Sequence, residues 1–431
     1  MDYFKRNLLD EVKKWIDRRE IIAIKGPRQV GKTTLLEIMR EWLIKDQGIE
    51  EKNIIYLTFE DRELLENFYL SPIDIIKRYV RDGEKYYFLI DEVQYCKDIG
   101  QKLKLIYDSF KNLKLLITGS SSLEVTSQTA KFLVGRLFAF ELLPFDYYEF
   151  LNTKDEVLAQ IYKEKRDLIK AFILTGENFR IPEGDIYLKE LLKNLNEYLI
   201  FGGYPEVIKA KATEEKILIL KNIFNTYLEK DIISYLQVTD TIKFRKLVNI
   251  LAATIGNLIS YENLVSMCGS YYKEIVQLID ILKQTYILDI LRPFHKNVVT
   301  ELRKNPKLYY YDTGLRNYAL NNFNSLDIRE DAGKLSENYV FNELKSIGTN
   351  SFISFWRTTA KTEVDFILWD ETKVVPVEVK FRSFKAEKIT RSLHNFINTY
   401  QPKTAIVVTK DYWGEMELEN TMVKFIPIVY F

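Results

Sequence analysis

Apolar runs and helical patterns alternate along the first part of the chain. Apolar side chains at helical spacing within residues 1–20, such as Leu9 and Val12, predict an amphipathic helix. Four short apolar runs follow, namely IIAIKG (21–26), NIIYLTF (53–59), KYYFLID (85–91) and LKLLITG (113–119). Helical patterns separate the runs, which is typical of a parallel sheet with covering helices. The pattern therefore predicts an α/β domain over residues 1–145.

The remaining pattern predicts three further segments. Residues 146–235 are helical except at TGENFRIPEGD and FGGYPE, which favours a helical lid or connector. Residues 236–300 show several short helices and then TYILDILRPF, a predicted hairpin, and this order is that of a winged helix-turn-helix. Residues 301–431 contain a polar break and then the order helix, strand, strand, helix, strand. The predicted fold class is thus α/β, with four domains in sequence.

Composition narrows the classes of function. The chain has 431 residues, with 62 Lys plus Arg against 61 Asp plus Glu, so its net charge of +1 gives no general attraction to nucleic acid or membranes. Any contact with DNA must come from a local patch. Two cysteines and two histidines are too few for a disulfide framework or a zinc site. Because no uninterrupted apolar run reaches about 18 residues, we expect a cytoplasmic protein without a membrane span.

A phosphate-binding loop is predicted at residues 26–33, where GPRQVGKT matches GxxxxGK[ST] between a predicted strand and a predicted helix. The glycines let backbone N–H groups point at phosphate oxygens, and the amino end of the helix adds a positive dipole. Lys32 is expected to reach the β- and γ-phosphates, and Thr33 to hold Mg²⁺. The predicted nucleotide contacts are Gly26, Pro27, Arg28, Gln29, Val30, Gly31, Lys32, Thr33, Thr34 and Asp91. The sequence has no guanine-specific NKxD, which favours ATP over GTP.

Two acids follow the third apolar run. Asp91 and Glu92 are expected at the same edge of the sheet as the phosphate loop, because the carboxyl ends of parallel strands share an edge. Asp91 suits the water shell of Mg²⁺, and Glu92 suits the base that orients the attacking water. The additional strand IIYLTF between the loop and this pair indicates the branch of P-loop ATPases that uses a catalytic glutamate.

Alternatives stay open at two positions beyond this pair. Thr118 or Ser120 in TGSSS is placed to sense the γ-phosphate, but a serine run after glycine is also typical of a plain loop. Arg136 in LVGRLF lies in an apolar setting, which favours a buried or cleft-facing guanidinium. It is either an arginine finger, which would act in trans in a homo-oligomer, or the partner of a nearby carboxylate.

A second candidate site lies near the carboxyl end. Alternation in TEVDFIL and VPVEVKF places Asp365 on one strand and Glu378 with Lys380 on the next, so adjacent strands bring them together. Carboxylate oxygens hold Mg²⁺ or Mn²⁺ in phosphodiester cleavage, and a lysine steadies the attacking water or the phosphate. Glu337 on a predicted helix supplies a further ligand. Charged residues on the solvent face of an antiparallel pair give the same pattern, so this alternative also stays open.

Ten short stretches, distributed over nearly the whole chain, carry a resemblance to a known family. They are GPRQVGKTTLL, DEVQ, TGSSS, LVGR, LLPFDYYEF, FGGYPEVI, YLEKDI, YYYDTGLRN, EVDFIL and VEVK. Together they resemble archaeal and bacterial ATPases that join an AAA-like P-loop domain to a winged helix and a DUF4143-type PD-(D/E)xK nuclease-like domain. The resemblance implies a restriction-endonuclease-like fold in residues 301–431, a DNA partner, and a PD-(D/E)xK site that some members keep only in decayed form. The residues that match that site are Glu337, Asp365, Glu378 and Lys380.

Three functions are compatible with these residues. The first is an ATPase that binds DNA through the winged helix and cleaves it at the carboxyl-terminal site. The second is a signal-transduction ATPase switch whose last domain is only a binding platform, and the third is a DNA remodeller without cleavage. Residues 236–300 hold seven Lys or Arg against five Asp or Glu, and this small excess does not decide among the three.

Overall fold

The structure is a computed structural model that describes residues 3–81, 83–120, 132–226, 240–294, 305–347 and 351–431, with the Ser120 side chain outside this description. The chain divides into two compact units. Unit 1 comprises Met1–Phe145, Tyr204–Glu206 and Gln284–Ile287. Unit 2 comprises Asp146–Gly203, Val207–Lys283 and Leu288–Phe431. The finer division into four domains at residues 145, 235 and 300 stays a prediction.

Unit 1 contains a five-stranded sheet in the order β2-β3-β4-β1-β5, and all neighbouring strands are parallel. The strands are β1 Ile21–Gly26, β2 Ile54–Thr58, β3 Tyr86–Asp91, β4 Leu113–Ser120 and β5 Leu137–Glu141. The four apolar runs of the sequence form β1 to β4, which confirms the predicted parallel sheet. The edge strand β5 was not expected.

Helices cover this sheet, and three of them share an apolar core with it. The helices are α1 Asn7–Lys13, α2 Lys32–Lys45, α3 Arg62–Leu70, α4 Pro72–Lys77 and α5 Ile99–Ser109. The β3 strand is buried along its whole length, and Phe88 and Ile90 pack in one cluster with Phe68 and Leu103 of the helices. This burial fixes the carboxyl end of β3, where the acidic pair begins, relative to the loop after β1.

Unit 2 begins with helices, as expected for a connector. They are α6 Tyr147–Lys154, α7 Glu156–Thr175, α8 Leu188–Phe201, α9 Pro205–Lys209 and α10 Thr213–Thr226, and α9 begins with two residues of unit 1. Asp146 starts α6 with a capping box, because its side chain accepts from the Glu149 backbone N–H while Glu149 accepts from that of Asp146. Residues 227–235 of the predicted connector, with the motif YLEKDI, lie outside the described part of the chain.

Three helices and a two-stranded antiparallel sheet follow. They are α11 Thr241–Ala253, α12 Tyr261–Cys268, α13 Tyr272–Gln284, β6 Leu288–Leu291 and β7 Lys307–Tyr310. The prediction of a hairpin within residues 285–294 is wrong, since β6 pairs with β7 at residues 307–310. This order of elements is the one expected of a winged helix, and that assignment stays a prediction.

A six-stranded mixed sheet dominates the last part of unit 2, in the order β12-β13-β11-β10-β9-β8. Its strands are β8 Phe352–Arg357, β9 Glu363–Trp369, β10 Val374–Lys380, β11 Thr404–Thr409, β12 Gly414–Leu418 and β13 Thr421–Pro427. The accompanying helices are α14 Thr313–Ala319, α15 Ala332–Ile347 and α16 Arg391–Tyr400. The order of elements predicted from the sequence does not include β8, β12 and β13. Within the described residues, we find no helix with the length and apolarity needed to cross a membrane.

Two of the motifs that carry the resemblance contact each other in unit 2. Gly202 of FGGYPEVI has φ +78°, and a Cβ there would lie 2.3 Å from Oδ1 of Asp312 in YYYDTGLRN. The Asp312 carboxylate accepts from the Gly203 N–H at 2.7 Å and caps α14 through the Leu315 N–H at 2.8 Å. Burial raises the pKa of Asp312 to about 6. These motifs therefore have a structural role, because glycine alone fits beside the buried carboxyl.

Candidate functional site

The predicted phosphate loop connects β1 to α2 in a conformation that needs both glycines. A Cβ on Gly26 would lie 2.0 Å from the Leu142 carbonyl oxygen, and Gly31 precedes α2 with φ +94°. Lys32 is only 4% exposed, and its Nζ donates to the carbonyl oxygens of Gly26 at 3.1 Å and Pro27 at 2.8 Å. The ammonium thus lies over the loop, within reach of any anion held there.

The other loop residues have different environments. Arg28 donates through Nη2 to the Tyr95 hydroxyl at 3.1 Å, and Gln29 adopts φ +61°. The Val30 carbonyl oxygen accepts a hydrogen bond from Arg6 Nη1 at 2.8 Å, which ties the loop to the segment before α1. Thr34 lies half-buried in the first turn of α2. Their nucleotide contacts stay predictions.

Asp91 is the centre of a hydrogen-bond network at the carboxyl edge of the sheet. Its Oδ2 accepts from Thr33 Oγ1 at 2.6 Å and from the Tyr56 hydroxyl at 3.0 Å, while Oδ1 accepts from Thr118 Oγ1. Burial and the Asp91 carboxylate raise the pKa of Tyr56, so its hydroxyl stays a donor. A hydroxyl and a carboxylate beside a phosphate loop are hard oxygen ligands that fit Mg²⁺ together with phosphate oxygens.

Glu92 follows Asp91 in an unusual backbone conformation. Its φ of 57° is left-handed, and its N–H donates to Thr118 Oγ1 at 3.2 Å. The Gln94 side-chain amide donates to the Glu92 carboxylate. Such backbone conformations are concentrated at functional sites, where the surrounding structure holds them. The structure therefore places Thr118 between the two acids, whereas the Ser120 side chain lies outside the described part.

Arg136 lies at the other edge of this sheet. It immediately precedes β5, and its carbonyl oxygen accepts from the N–H of Ile21, the first residue of β1. Because β1 and β5 are parallel, Arg136 is at the amino edge, a full strand length from Gly26. Its Nε pairs with Asp108 Oδ1 at 3.2 Å. This contact fits the second alternative, in which Arg136 is the partner of a nearby carboxylate, and an arginine finger for a neighbouring copy stays a prediction.

The second candidate site brings the predicted residues of β9 and β10 together. Asp365 Oδ2 accepts from the Val379 N–H at 2.8 Å and lies 3.7 Å from Lys380 Nζ. The same Nζ is 2.9 Å from Glu378 Oε1. Thr390, the N-cap of α16, donates to the Glu378 oxygens at 2.8 and 2.7 Å. Both Glu378 oxygens thus already accept from protein donors.

Glu337 is a buried acid on α15 that contacts three donors. Its Oε1 accepts from Lys307 Nζ at 2.9 Å and from the Tyr309 hydroxyl at 2.6 Å, and its Oε2 accepts from Lys334 Nζ at 2.8 Å. Lys307 is also 2.7 Å from Glu363 Oε1, and Arg357 lies 2.6 Å from Glu363 Oε2. We call the following eight residues the charge cluster: Glu337, Glu363, Asp365, Glu378, Lys307, Lys334, Arg357 and Lys380.

Burial and neighbouring charges set the protonation of the cluster. Burial and the nearby Glu337 carboxylate raise the pKa of Asp365 to about 6. Burial also acts to raise the pKa of Glu337, but Lys307 and Lys334 outweigh it and hold the pKa below its ordinary value. Glu337 therefore stays ionised as a partner of two ammonium groups.

These contacts do not fit the predicted Mg²⁺ or Mn²⁺ site formed by Glu337, Asp365 and Glu378. A hard cation needs several carboxylate oxygens with lone pairs directed at it. The charges of Glu337 and Glu378 are instead already compensated by lysine ammonium groups, those of Lys307 and Lys334 at Glu337 and that of Lys380 at Glu378. Across the described ranges, no group of three or more His, Cys, Asp or Glu side chains is arranged to hold a metal.

Sequence reasoning missed several residues of the two sites. They include Tyr56, Gln94, Lys307, Lys334, Arg357, Glu363 and Thr390. Gln94 was visible in the DEVQ motif, and Thr390 is a helix N-cap of the usual type. Lys307 directly precedes the apolar run LYYY, which favours a buried cation that needs a partner.

Three family models match the chain in sequence. Residues 18–151 match a model described as an AAA domain, and residues 332–431 match a domain of unknown function, DUF4143. An AAA-like domain thus precedes a DUF4143-like domain. This order confirms the predicted resemblance. Residues 192–326 match another domain of unknown function, DUF8612.

Sequence similarity to two uncharacterized proteins extends over most of the chain. An uncharacterized protein of Haemophilus influenzae is 24% identical over 432 residues, covering 98% of this chain and 97% of the relative. One from Methanocaldococcus jannaschii is 27% identical over 365 residues, covering 82% of this chain and 73% of the relative.

Solved structures show only a distant likeness. The Aeropyrum pernix Orc1 protein in complex with DNA covers 78% of this chain and 93% of its own, with a TM-score of 0.31 and 13% identity. Domain III of the Thermotoga maritima replication initiation protein DnaA covers 51% of this chain and 94% of its own, with a TM-score of 0.28 and 17% identity. Scores this low carry no functional information.

Proposed function

We propose that the chain binds and hydrolyses ATP at the phosphate loop. The observation that carries this proposal is the network around Asp91, in which Thr33 of the loop and Thr118 of β4 both donate to its carboxylate. Lys32 lies over the same loop, and Glu92 follows Asp91 directly. Three segments that are distant in sequence thus supply complementary groups to one edge of the sheet, a convergence that phosphoryl transfer requires.

Each group has a distinct part in the reaction. The backbone N–H groups of the loop and the Lys32 ammonium bind the phosphates, with the ammonium exchanging its two carbonyl contacts for phosphate oxygens. Thr33 and Asp91 would hold Mg²⁺, which neutralises phosphate charge when bound. Glu92 accepts a proton from the attacking water, and Gln94 positions its carboxylate. Thr118 connects Asp91 to Glu92.

We propose DNA as the partner, bound through the helices α12 and α13. Gly269 ends α12 in the left-handed conformation, and α13 begins three residues later, the short turn of a helix-turn-helix. Tyr271 and Tyr272 are 62% and 57% exposed at the start of α13, next to the exposed Lys273. In that motif the amino end of the second helix contacts bases and phosphates, and these side chains suit both tasks.

Reversing one charge tests the DNA contact. Lys273→Glu is expected to weaken binding of a labelled duplex about tenfold and to lower its salt dependence, because one phosphate contact becomes a repulsion. Fluorescence anisotropy at two salt concentrations measures both effects. Lys388→Glu makes the same charge change at another exposed position and should leave binding unchanged. Equal affinities of the two variants would contradict the assignment.

DNA cleavage is not part of the proposal, because lysine and arginine side chains already compensate the carboxylates of the charge cluster. The carboxyl-terminal domain then acts as a binding platform, as in the ATPase switch or remodeller. Wild-type protein should hydrolyse ATP with Mg²⁺ but leave labelled single-stranded, duplex and four-way DNA intact with Mn²⁺ and ATP. An absence of ATP turnover would overturn the ATPase proposal. Metal-dependent cutting that disappears in Asp365→Ala and Glu378→Ala would instead restore the nuclease function.

A further inference from the structure

The charge cluster joins two parts of unit 2 that are separate in sequence. Lys307 lies on β7, the partner of β6, which follows the helices α11 to α13. Its carboxylate partners lie on α15 and β9, within the residues 332–431 that match DUF4143, with Nζ distances of 2.9 Å to Glu337 and 2.7 Å to Glu363. Lys307 is 1% exposed, so both ion pairs are shielded from water.

A second lysine makes a parallel connection. Lys334 Nζ donates to the Gly256 carbonyl oxygen at 2.9 Å and to Glu337 Oε2 at 2.8 Å. Gly256 follows α11, and its N–H donates to the Leu308 carbonyl oxygen on β7 at 3.0 Å. The two oxygens of Glu337 therefore each accept from one lysine, and both connections lead to the segment of α11 to β7.

The cluster is also electrically balanced. Four carboxylates face four cationic side chains, and each cation lies within 4 Å of at least one carboxylate. A divalent cation binds where several anionic oxygens leave a net negative charge, and a balanced cluster of four acids and four cations has none. The ammonium of Lys307 lies between two acids, Glu337 and Glu363, where it supplies the positive charge that a metal would supply.

We propose that Lys307 takes the place of a divalent cation, so that Glu337 of the nuclease-like site, together with Glu363, forms an ionic clasp between the segment 241–310 and residues 332–431. The clasp consists of Lys307, Lys334, Glu337 and Glu363. It would hold the proposed DNA-binding helices at a fixed position on the last domain. The inference does not depend on ATP hydrolysis, since the phosphate loop belongs to unit 1.

Replacing the ammonium tests the clasp. Lys307→Met leaves Glu337 and Glu363 with less compensation, so the melting temperature should fall by about 5–10 °C. Millimolar Mn²⁺ should restore part of this loss in Lys307→Met and have no effect on the wild type, because the cation can enter the vacated position. Calorimetry should show Mn²⁺ binding to the variant alone. Hydrogen exchange in α11 should rise in the variant and fall again with Mn²⁺.

Two further variants separate the clasp from general destabilisation. Lys307→Met/Glu337→Gln removes both partners and should regain most of the melting temperature without a response to Mn²⁺. Lys410→Met breaks an exposed ion pair with Asp327 in the same unit and should change nothing.

Several results would overturn the inference. They are stoichiometric Mn²⁺ binding by the wild type, a wild-type melting temperature in Lys307→Met, and a destabilised Lys307→Met that does not respond to Mn²⁺. If Lys307→Met does not fold, a double variant that is equally unfolded would also overturn it. If the wild-type protein does not hydrolyse ATP, the proposed function is contradicted, but the expected results for the clasp stay the same.

Discussion

Lys32→Ala is expected to weaken ATP binding roughly 10²- to 10³-fold and to reduce hydrolysis to background. The wild-type ammonium is held over the loop by the carbonyl oxygens of Gly26 and Pro27, so it needs little rearrangement to contact phosphates. Arg28 does not replace it, because its guanidinium is directed to the Tyr95 hydroxyl. Nucleotide affinity, measured with a fluorescent ATP analogue, and phosphate release give the two quantities.

A lysine on the same helix provides the matched control. Lys45 lies at the last position of α2, where its side chain is 70% exposed and pairs with Glu41. Lys45→Ala should keep wild-type affinity and turnover. Melting temperatures of both variants establish that each is folded, which matters because Lys32 also bonds the loop backbone. Parental hydrolysis by folded Lys32→Ala would show that the loop is not the nucleotide site.

The sequence predicted the unit 1 sheet well because the signal for each of its central strands is local. The runs that form β1 to β4 are short, apolar and separated by helical patterns, and β3 is buried at every position. The edge strand β5 was missed because LFAFE is exposed at two of its five positions and has no continuous apolar pattern. Its place beside β1 depends on pairing across more than 100 residues.

Strand pairing between distant residues was equally hard to predict in unit 2. The β6 strand was recognised, but its partner was expected within the same ten-residue run instead of at residues 307–310. In the last sheet, β12 is only five residues long, begins with Gly414 and contains two glutamates, so it resembles a loop in the sequence. Apolar periodicity indicates that a strand exists, and long-range packing decides which strand it meets.

The candidate sites show a corresponding division. Contiguous motifs gave Lys32, Asp91 and Glu92, and alternation along β9 and β10 gave the approach of Asp365 to Lys380. The contacts of Glu337 with Lys307 were not predictable, because the two are 30 residues apart and no local pattern joins them. Carboxylates at metal-site spacing do not reveal whether a metal or a lysine compensates them, since both satisfy the same electrostatic requirement.

Glu92→Gln is expected to keep ATP bound while slowing hydrolysis roughly 10²-fold or more. The amide has the shape of the carboxylate and can occupy the same left-handed backbone position, so the geometry around Asp91 and Thr118 should be retained. It has no basic oxygen of comparable strength to accept a proton from the attacking water. Affinity for the ATP analogue and single-turnover hydrolysis should therefore separate, with a change in only the second.

The separation of binding from turnover identifies the role of Glu92. Glu63→Gln removes an exposed carboxylate from α3 of the same unit and should leave both quantities unchanged. A variant that traps ATP without hydrolysing it would also show whether DNA binding follows the bound nucleotide or its turnover, which distinguishes a switch from a remodeller. Equal losses of affinity and turnover in Glu92→Gln would mean that the residue supports the loop structurally and that another group activates the water.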